Sequence, residues 1–213
     1  MNRRDLFRLS MAMGLAAGLP ARSTAGTPHA PVTHHPLHPP ADGSIPVAFL
    51  LSDNAVVIDF AGPWEVFENV SLPGGAPEPV FRPYTVAETA EPIQASGGMT
   101  IIPDYTFATA PPPKVIVIPA QSTPTDAVIA WVREMARSAD LTMSVCTGAF
   151  LLARTGLLSG KSATTHHGAY AQFMMAFPDI SLKRGARYVE DGKVATSGGL
   201  SSGIDLALRV VER

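Results

Sequence analysis

Hydrophobic positions along the chain follow two alternating patterns from residue 45 onward. Continuous apolar, β-branched runs occupy residues 45–51, 114–120 and 141–145, as expected of strands that are covered on both faces. Between them, residues 63–70 and 125–139 carry apolar side chains at helical spacing, and the first of these segments begins with a proline. Strands that alternate with helices predict a parallel sheet with helices on both faces.

The remaining segments fit the same plan. A Gly97-Gly98 turn separates two strand-like segments, and an Asp191-Gly192 turn between β-rich flanks indicates a hairpin. The sequence therefore predicts, in chain order, strands at 80–88 and 99–107, a helix at 149–158, a hairpin at 187–197 and a final helix at 200–213.

The first residues follow a different pattern. Arg3 and Arg4 precede a short apolar stretch at 11–19, and a run of small residues at 23–26 offers a cleavage point after Ala25. The stretch is too short to span a bilayer. The arrangement resembles a twin-arginine export signal, so we expect a signal peptide over residues 1–25, a periplasmic location and no stable membrane insertion after cleavage. The alternative is an amphipathic N-terminal helix of the mature protein.

Residues 26–44 are dense in proline, which blocks both helices and central strands. We therefore expect an extended linker, followed by one folded domain over residues 45–213. The linker carries four of the six histidines: His29, His34, His35 and His38. Without carboxylates or a fixed fold, these histidines would make only a loose metal site, and no metal is expected in the folded domain.

Composition narrows the classes of partner. The chain has 213 residues, of which 46% are apolar, and a net charge of -2 without a basic stripe. A surface built to bind phosphate backbones is therefore not expected, and nucleic acid is excluded as a partner. The single cysteine, Cys146, forms neither an intramolecular disulfide nor, by itself, a thiolate metal site.

Cys146 lies where a strand should end and a helix should begin near Gly148, which is the setting of a nucleophile elbow. At the carboxyl end of a parallel strand, its side chain would face the crevice in which ligands of such sheets bind. The N-terminus of the following helix would favour the thiolate. The alternative is an inert buried cysteine, because this residue type is often buried.

Asp59 lies at the end of the apolar run 55–58 and ahead of the helix that should begin at Pro63. From this position, the carboxylate could reach the same crevice and accept a proton from the thiol or from water. The alternative is that Asp59 is the N-cap of that helix.

Four segments together resemble the ThiJ/PfpI superfamily of glutamine-amidotransferase-like proteins, in its isonitrile hydratase branch, which is related to the ligand domains of AraC-type regulators. They are SVCTGAFLLARTGLLSGKSATTHH, DFAGPWEVF, VAETAEPIQASGGMTIIPDYTF and SGGLSSGIDLALRVVE. The resemblance implies an α/β, flavodoxin-like three-layer sandwich with a mostly parallel central sheet. It also implies a homodimer that binds a small molecule without a cofactor.

The resemblance assigns roles to particular residues. Cys146 would be the nucleophile, Asp59 its acidic partner and Thr147 the threonine that follows the nucleophile. Ala120 and Gln121 occupy the positions of two glycines whose backbone amides approach the thiol, and Gly148 would line the substrate site beside them. His166 would line the pocket or shuttle a proton; alternatively, it is a core histidine.

Three functions follow as hypotheses. The first is an exported, cysteine-dependent hydratase that adds water to an isonitrile and yields an N-substituted formamide. The second is a non-catalytic module that binds or senses a small molecule. The third is a carbonyl-directed deglycase or glyoxalase, which Thr147 disfavours because related enzymes of that kind often have histidine at this position.

Overall fold

The computed structural model describes residues 36–38, 43–71 and 79–213, and its strands and helices lie from residue 45 onward. The strands are β1 Ile45–Leu50, β2 Phe81–Ala87, β3 Ile93–Gln94, β4 Thr100–Ile101, β5 Tyr105–Thr106, β6 Val115–Ile118, β7 Leu141–Ser144, β8 Ser162–Ala163, β9 Ser181–Leu182, β10 Tyr188–Asp191 and β11 Val194–Ser197. The helices are α1 Val57–Glu68, α2 Asp126–Ser138, α3 Gly148–Arg154, α4 Tyr170–Ala176 and α5 Ser201–Val211.

The central sheet has seven strands in the order β10-β11-β7-β6-β1-β2-β5. All neighbouring pairs in it are parallel except the β10–β11 hairpin. The predicted fold class is therefore confirmed. Because the carboxyl ends of parallel strands meet at one edge of a sheet, the loops after β1, β6, β7 and β11 meet there as well.

Side chains of β1 show why the central strands read as continuous apolar runs. Val47 and Phe49 point into a core beneath α1 and α5, whereas Ala48 and Leu50 point into a second core beneath α2, α3 and α4. All four are completely buried. Helices on both faces remove the need for a polar face on the strand, and the result is a three-layer sandwich.

Three predicted elements have clearly different bounds in the structure. The helix predicted at 149–158 is α3, which ends at Arg154. Helix α1 begins at Val57 rather than at Pro63, which lies inside the helix. The strand predicted at 99–107 is divided into β4 and β5, since Pro103 interrupts it and the carboxylate of the following Asp104 accepts hydrogen bonds from the backbone N–H and hydroxyl of Thr85.

The end of the proline-rich linker contacts the folded domain. Leu37 packs against the core beneath α1 and α5, and the backbone N–H of His38 donates to the carboxylate of Asp140 at 2.9 Å. This part of residues 26–44 is therefore anchored. The predicted signal peptide and the histidines at 29, 34 and 35 lie outside the described residues. Among the helices that are described, none has the length and apolar character needed to cross a membrane.

Gly148, the first residue of α3, allows that helix to approach β6 closely. A Cβ atom at this position would lie 2.2 Å from the carbonyl oxygen of Ile118 and 2.7 Å from that of Pro119. Backbone atoms at the end of a central strand have little freedom to move. The absence of a side chain at Gly148 therefore sets the distance between the α3 N-terminus and the sheet.

We expect Gly148→Ala to lower the free energy of unfolding by about 2–3 kcal/mol, because the added methyl group meets backbone oxygens. Gly62→Ala in α1 is the matched control, since its Cβ would meet the movable side chain of Ile204 at 2.7 Å. We expect the control to change stability by less than about 1 kcal/mol. Urea unfolding of both variants is the measurement, and equal losses would contradict this account.

Candidate active site

Cys146 lies two residues after the end of β7 and has a backbone φ of +59°. Non-glycine residues rarely adopt this conformation, and it persists only where neighbouring contacts fix it. Here the N–H of Cys146 donates to the carbonyl of Gly198 at 2.9 Å, and its own carbonyl accepts from the hydroxyl of Thr165 at 2.9 Å. The predicted strand, sharp turn and helix are therefore present, and the strained turn is held by the segments that follow β8 and β11.

Asp59 is completely buried in the first turn of α1. Its carboxylate accepts backbone N–H groups from Ala120 and Leu200, each at 3.3 Å, and it is hydrogen-bonded to the thiol of Cys146. The N-cap alternative for Asp59 is wrong, because the cap position is Val56. Helix α1 starts earlier than predicted. Asp59 therefore lies inside the first turn of the helix rather than ahead of it, and its carboxylate reaches the crevice.

Burial has the largest effect on the ionisation of this pair. It raises the pKa of Asp59, although the N–H donors of Ala120 and Leu200 act in the opposite direction. Burial, followed by the negative charge of Asp59, raises the pKa of Cys146 to about 11. The expectation of a thiolate stabilised by the helix N-terminus is therefore wrong for the resting site, since desolvation and the carboxylate outweigh that effect.

Thr147 provides the groups that oppose this rise in the thiol pKa. Its backbone N–H and its hydroxyl are both hydrogen-bonded to the sulfur of Cys146 and lower the thiol pKa. These donors do not make the thiolate dominant at rest. They do stabilise negative charge on sulfur whenever the proton leaves, which is the arrangement that a transient thiolate requires.

Ala120 and Gln121 differ in what they offer a ligand. The N–H of Ala120 is directed to the carboxylate of Asp59, so it does not serve as a donor to substrate, contrary to the expectation. The side-chain oxygen of Gln121 accepts from the Ser52 hydroxyl at 3.0 Å, and the residue lines a cavity beside Thr147. Gln121 and Gly148 therefore border the candidate site, whereas Ala120 supports its carboxylate.

His166 lies near the thiol, with Gly199 between them. A Cβ atom on Gly199 would lie 2.6 Å from Cδ2 of His166 and 3.4 Å from the sulfur of Cys146. Nδ1 of His166 accepts the N–H of Gly168 at 3.3 Å, so the neutral ring carries its proton on Nε2. Towards the site, neutral His166 is therefore a hydrogen-bond donor rather than a base.

Sequence reasoning missed two residues of the site, Leu200 and Gly199. Leu200 has a φ of +58° and directs its N–H at Asp59, but no feature of a leucine signals such a backbone role. Gly199 leaves the space in which His166 and the thiol approach each other. The pair Gly198-Gly199 directly after a predicted strand was the available signal for a close approach of this kind.

The described residues contain no group of three or more histidine, cysteine or acidic side chains arranged to hold a metal ion. A thiol shares a hydrogen bond with a buried carboxylate, and the next residue supplies two donors to the sulfur. Such a set can add sulfur to an electrophilic carbon while the carboxylate moves the proton.

Comparison with known proteins finds two kinds of relative, an enzyme and a transcriptional regulator. The chain is 30% identical over 174 residues to an isonitrile hydratase of Pseudomonas putida, an alignment that covers 79% of this chain and 72% of the relative. It is 26% identical to the HTH-type transcriptional regulator GbdR of Pseudomonas aeruginosa over 78% of this chain, but it spans only 46% of that regulator's length.

A solved structure shows the same fold. The crystal structure of a ThiJ/PfpI family protein from Pseudomonas syringae superposes with a TM-score of 0.64 at 28% sequence identity, covering 79% of this chain and 68% of that one. The DJ-1/PfpI family model matches residues 46–213, which include every element of the central sheet except the first residue of β1. By sequence and by fold, the chain belongs to the DJ-1/PfpI family.

Proposed function

We propose that this protein is a cysteine-dependent hydratase that converts an isonitrile to an N-substituted formamide. The observation that carries the proposal is the contact set around one sulfur: Asp59 and both donors of Thr147 are hydrogen-bonded to Cys146. The relative named isonitrile hydratase supports the choice of reaction. Addition of water to an isonitrile involves no net oxidation or reduction, so the reaction needs no redox cofactor.

In the first step, the sulfur of Cys146 bonds to the terminal carbon of the isonitrile. The thiol proton passes to Asp59, whose carboxylate already accepts a hydrogen bond from it, and then to the same carbon. The product is a thioimidate with a carbon–sulfur single bond and a carbon–nitrogen double bond. Burial raises the pKa of Asp59 and thereby makes it a stronger base than a solvated carboxylate.

In the second step, water adds to the thioimidate carbon. Asp59 takes one proton from the water and passes it to the substrate nitrogen as the carbon–nitrogen double bond is lost. The carbon–sulfur bond then breaks, the hydroxyl group of the adduct gives up its proton as the carbonyl forms, and Asp59 passes that proton to the departing sulfur. The donors of Thr147 stabilise negative charge on the departing sulfur. The sum is one water added to one isonitrile.

A second function has its own supporting observation. Burial and the charge of Asp59 raise the pKa of the Cys146 thiol to about 11, and a thiol that stays protonated at rest is typical of a buried cysteine that takes no part in catalysis. The regulator relative contains a similar domain without being named as an enzyme. The second candidate is therefore a small-molecule-binding module, and turnover separates the two.

We expect Cys146→Ala to reduce isonitrile hydration by at least about 10³-fold and Asp59→Asn by about 10²-fold or more, because one removes the nucleophile and the other the proton carrier. Thr147→Val should cost about tenfold, and Thr147→Ser, which keeps the hydroxyl, should stay near the wild-type rate. Formamide production under saturating substrate is the measurement. Full activity in Cys146→Ala would show that Cys146 is not the nucleophile. A wild type without hydratase activity would favour the binding module.

We further propose that the protein acts in the periplasm after export through a twin-arginine signal. The support is the Arg3-Arg4 pair ahead of an apolar stretch and a small-residue cleavage site at 23–26. Lysine at both arginine positions should retain the protein in the cytoplasm as an unprocessed chain, as judged by cell fractionation and intact mass. Unchanged export and processing in that variant would refute the proposal.

A further inference from the structure

A groove runs from Thr147 along one side of α3. Thr147, Phe150, Leu151 and Arg154 form one wall at helical spacing, and Pro119 and Pro124 belong to the opposite wall, formed by the segment between β6 and α2. Its volume is about 380 Å³, within the range of small-molecule sites. We refer to it as the α3 groove.

The α3 groove begins at Thr147, the residue that follows the proposed nucleophile. Thr147 lines it, and the backbone N–H and hydroxyl of the same residue are hydrogen-bonded to the sulfur of Cys146. Gly148 keeps this end narrow, because α3 contacts the last residues of β6 there. A substrate whose reactive carbon meets the sulfur can therefore extend its substituent along α3.

The larger part of the groove lining is apolar, which favours a mainly apolar substituent. Pro119, Pro124, Phe150 and Leu151 present hydrocarbon surface to it, whereas polar groups come from Gln121, Ser122, Thr123 and Gln172. From Thr147 to Arg154 the helix rises about 10 Å, at roughly 1.5 Å per residue. This length accommodates a substituent of several carbon atoms between the reacting carbon and the far end.

Arg154 changes the chemistry at the far end. Its guanidinium donates to the backbone carbonyl of Pro124 at 3.3 Å, and among the described residues no carboxylate forms an ion pair with it. A guanidinium has five N–H donors, so most of its binding capacity is open to a ligand. The guanidinium of Arg133 also lies near this end, where it donates to the carbonyls of Arg154 and Thr155.

A second cavity near the sulfur is a poorer candidate for the substituent. It has a volume of about 260 Å³ and is bordered by His166 and Gly199. Its guanidinium, Arg187, already forms an ion pair with Asp205 at 3.3 Å. A negative group there would compete with a carboxylate that is already in place.

We propose that the α3 groove selects isonitriles whose apolar substituent ends in a carboxylate, with Arg154 as the specificity-determining residue. This inference rests on the hydratase function proposed above, and it adds the substrate class. Arg154 lies at the surface, where an ion pair is screened by water and salt. The preference should therefore be moderate and should fall as ionic strength rises.

The test compares an ω-isocyanohexanoate with its methyl ester, which differ in the charge at the end of the chain. For the wild type we expect kcat/KM to be about tenfold higher for the carboxylate at low salt, mainly through KM. Arg154→Gln should abolish this ratio, because kcat/KM for the carboxylate falls to that for the ester. Arg137→Gln is the charge-matched control: it removes an exposed cation paired with Glu134 on α2 and should keep the ratio.

A binding measurement separates this inference from the proposed reaction. Calorimetry with the two corresponding formamides should show about tenfold tighter binding of the carboxylate by the wild type, and equal binding by Arg154→Gln. Hydration of both isonitriles at equal kcat/KM would refute the proposed selectivity but would agree with the proposed hydratase function. Carboxylate-selective formamide binding without any turnover would refute the hydratase function but would agree with a carboxylate-binding site at Arg154. A preference lost in Arg187→Gln but kept in Arg154→Gln would place the carboxylate in the other cavity.

Discussion

The buried carboxylate of Asp59 is the contact on which the site depends. It accepts the N–H of Ala120 after β6 and of Leu200 after β11, and it is hydrogen-bonded to the Cys146 thiol after β7. One side chain of α1 therefore ties together three loops that leave the same edge of the sheet. Because a buried carboxylate without donors is costly, these loops have to keep their positions for as long as Asp59 is ionised.

Backbone strain accompanies this arrangement. Cys146 and Leu200 both adopt positive φ, and each has a backbone or side-chain group in contact with Asp59. Conformations of this kind persist when the surroundings determine them, and they concentrate at functional sites. The raised pKa of the thiol has the same origin as the strain, since both follow from placing Cys146 in a buried turn beside a carboxylate. In the proposed reaction, the thiol is activated by proton transfer at the moment of attack.

The fold was readily predictable, because β1, β6 and β7 are buried on both faces and their apolar runs have no other explanation. The same pattern predicts the position of Cys146. It also predicts that Asp59 reaches the crevice, but it places Asp59 ahead of a helix that starts at Pro63, whereas the helix starts at Val57. Three features could not be read from sequence: the N–H of Ala120 turned to Asp59, the backbone role of Leu200 and the protonated thiol. Each depends on long-range packing that brings together residues far apart in the chain.

The rate at which iodoacetamide alkylates Cys146 tests the thiol–carboxylate pair most directly, and the single cysteine makes the signal unique. With the pKa of the thiol at about 11, the neutral thiol predominates below that pH, so near neutral pH the wild type should react at least about tenfold more slowly than a free cysteine. Asp59→Asn removes the negative charge that raises this pKa, so alkylation should accelerate even though hydration is lost. Wild-type alkylation as fast as that of a free thiol, or a rate unchanged in Asp59→Asn, would contradict the account.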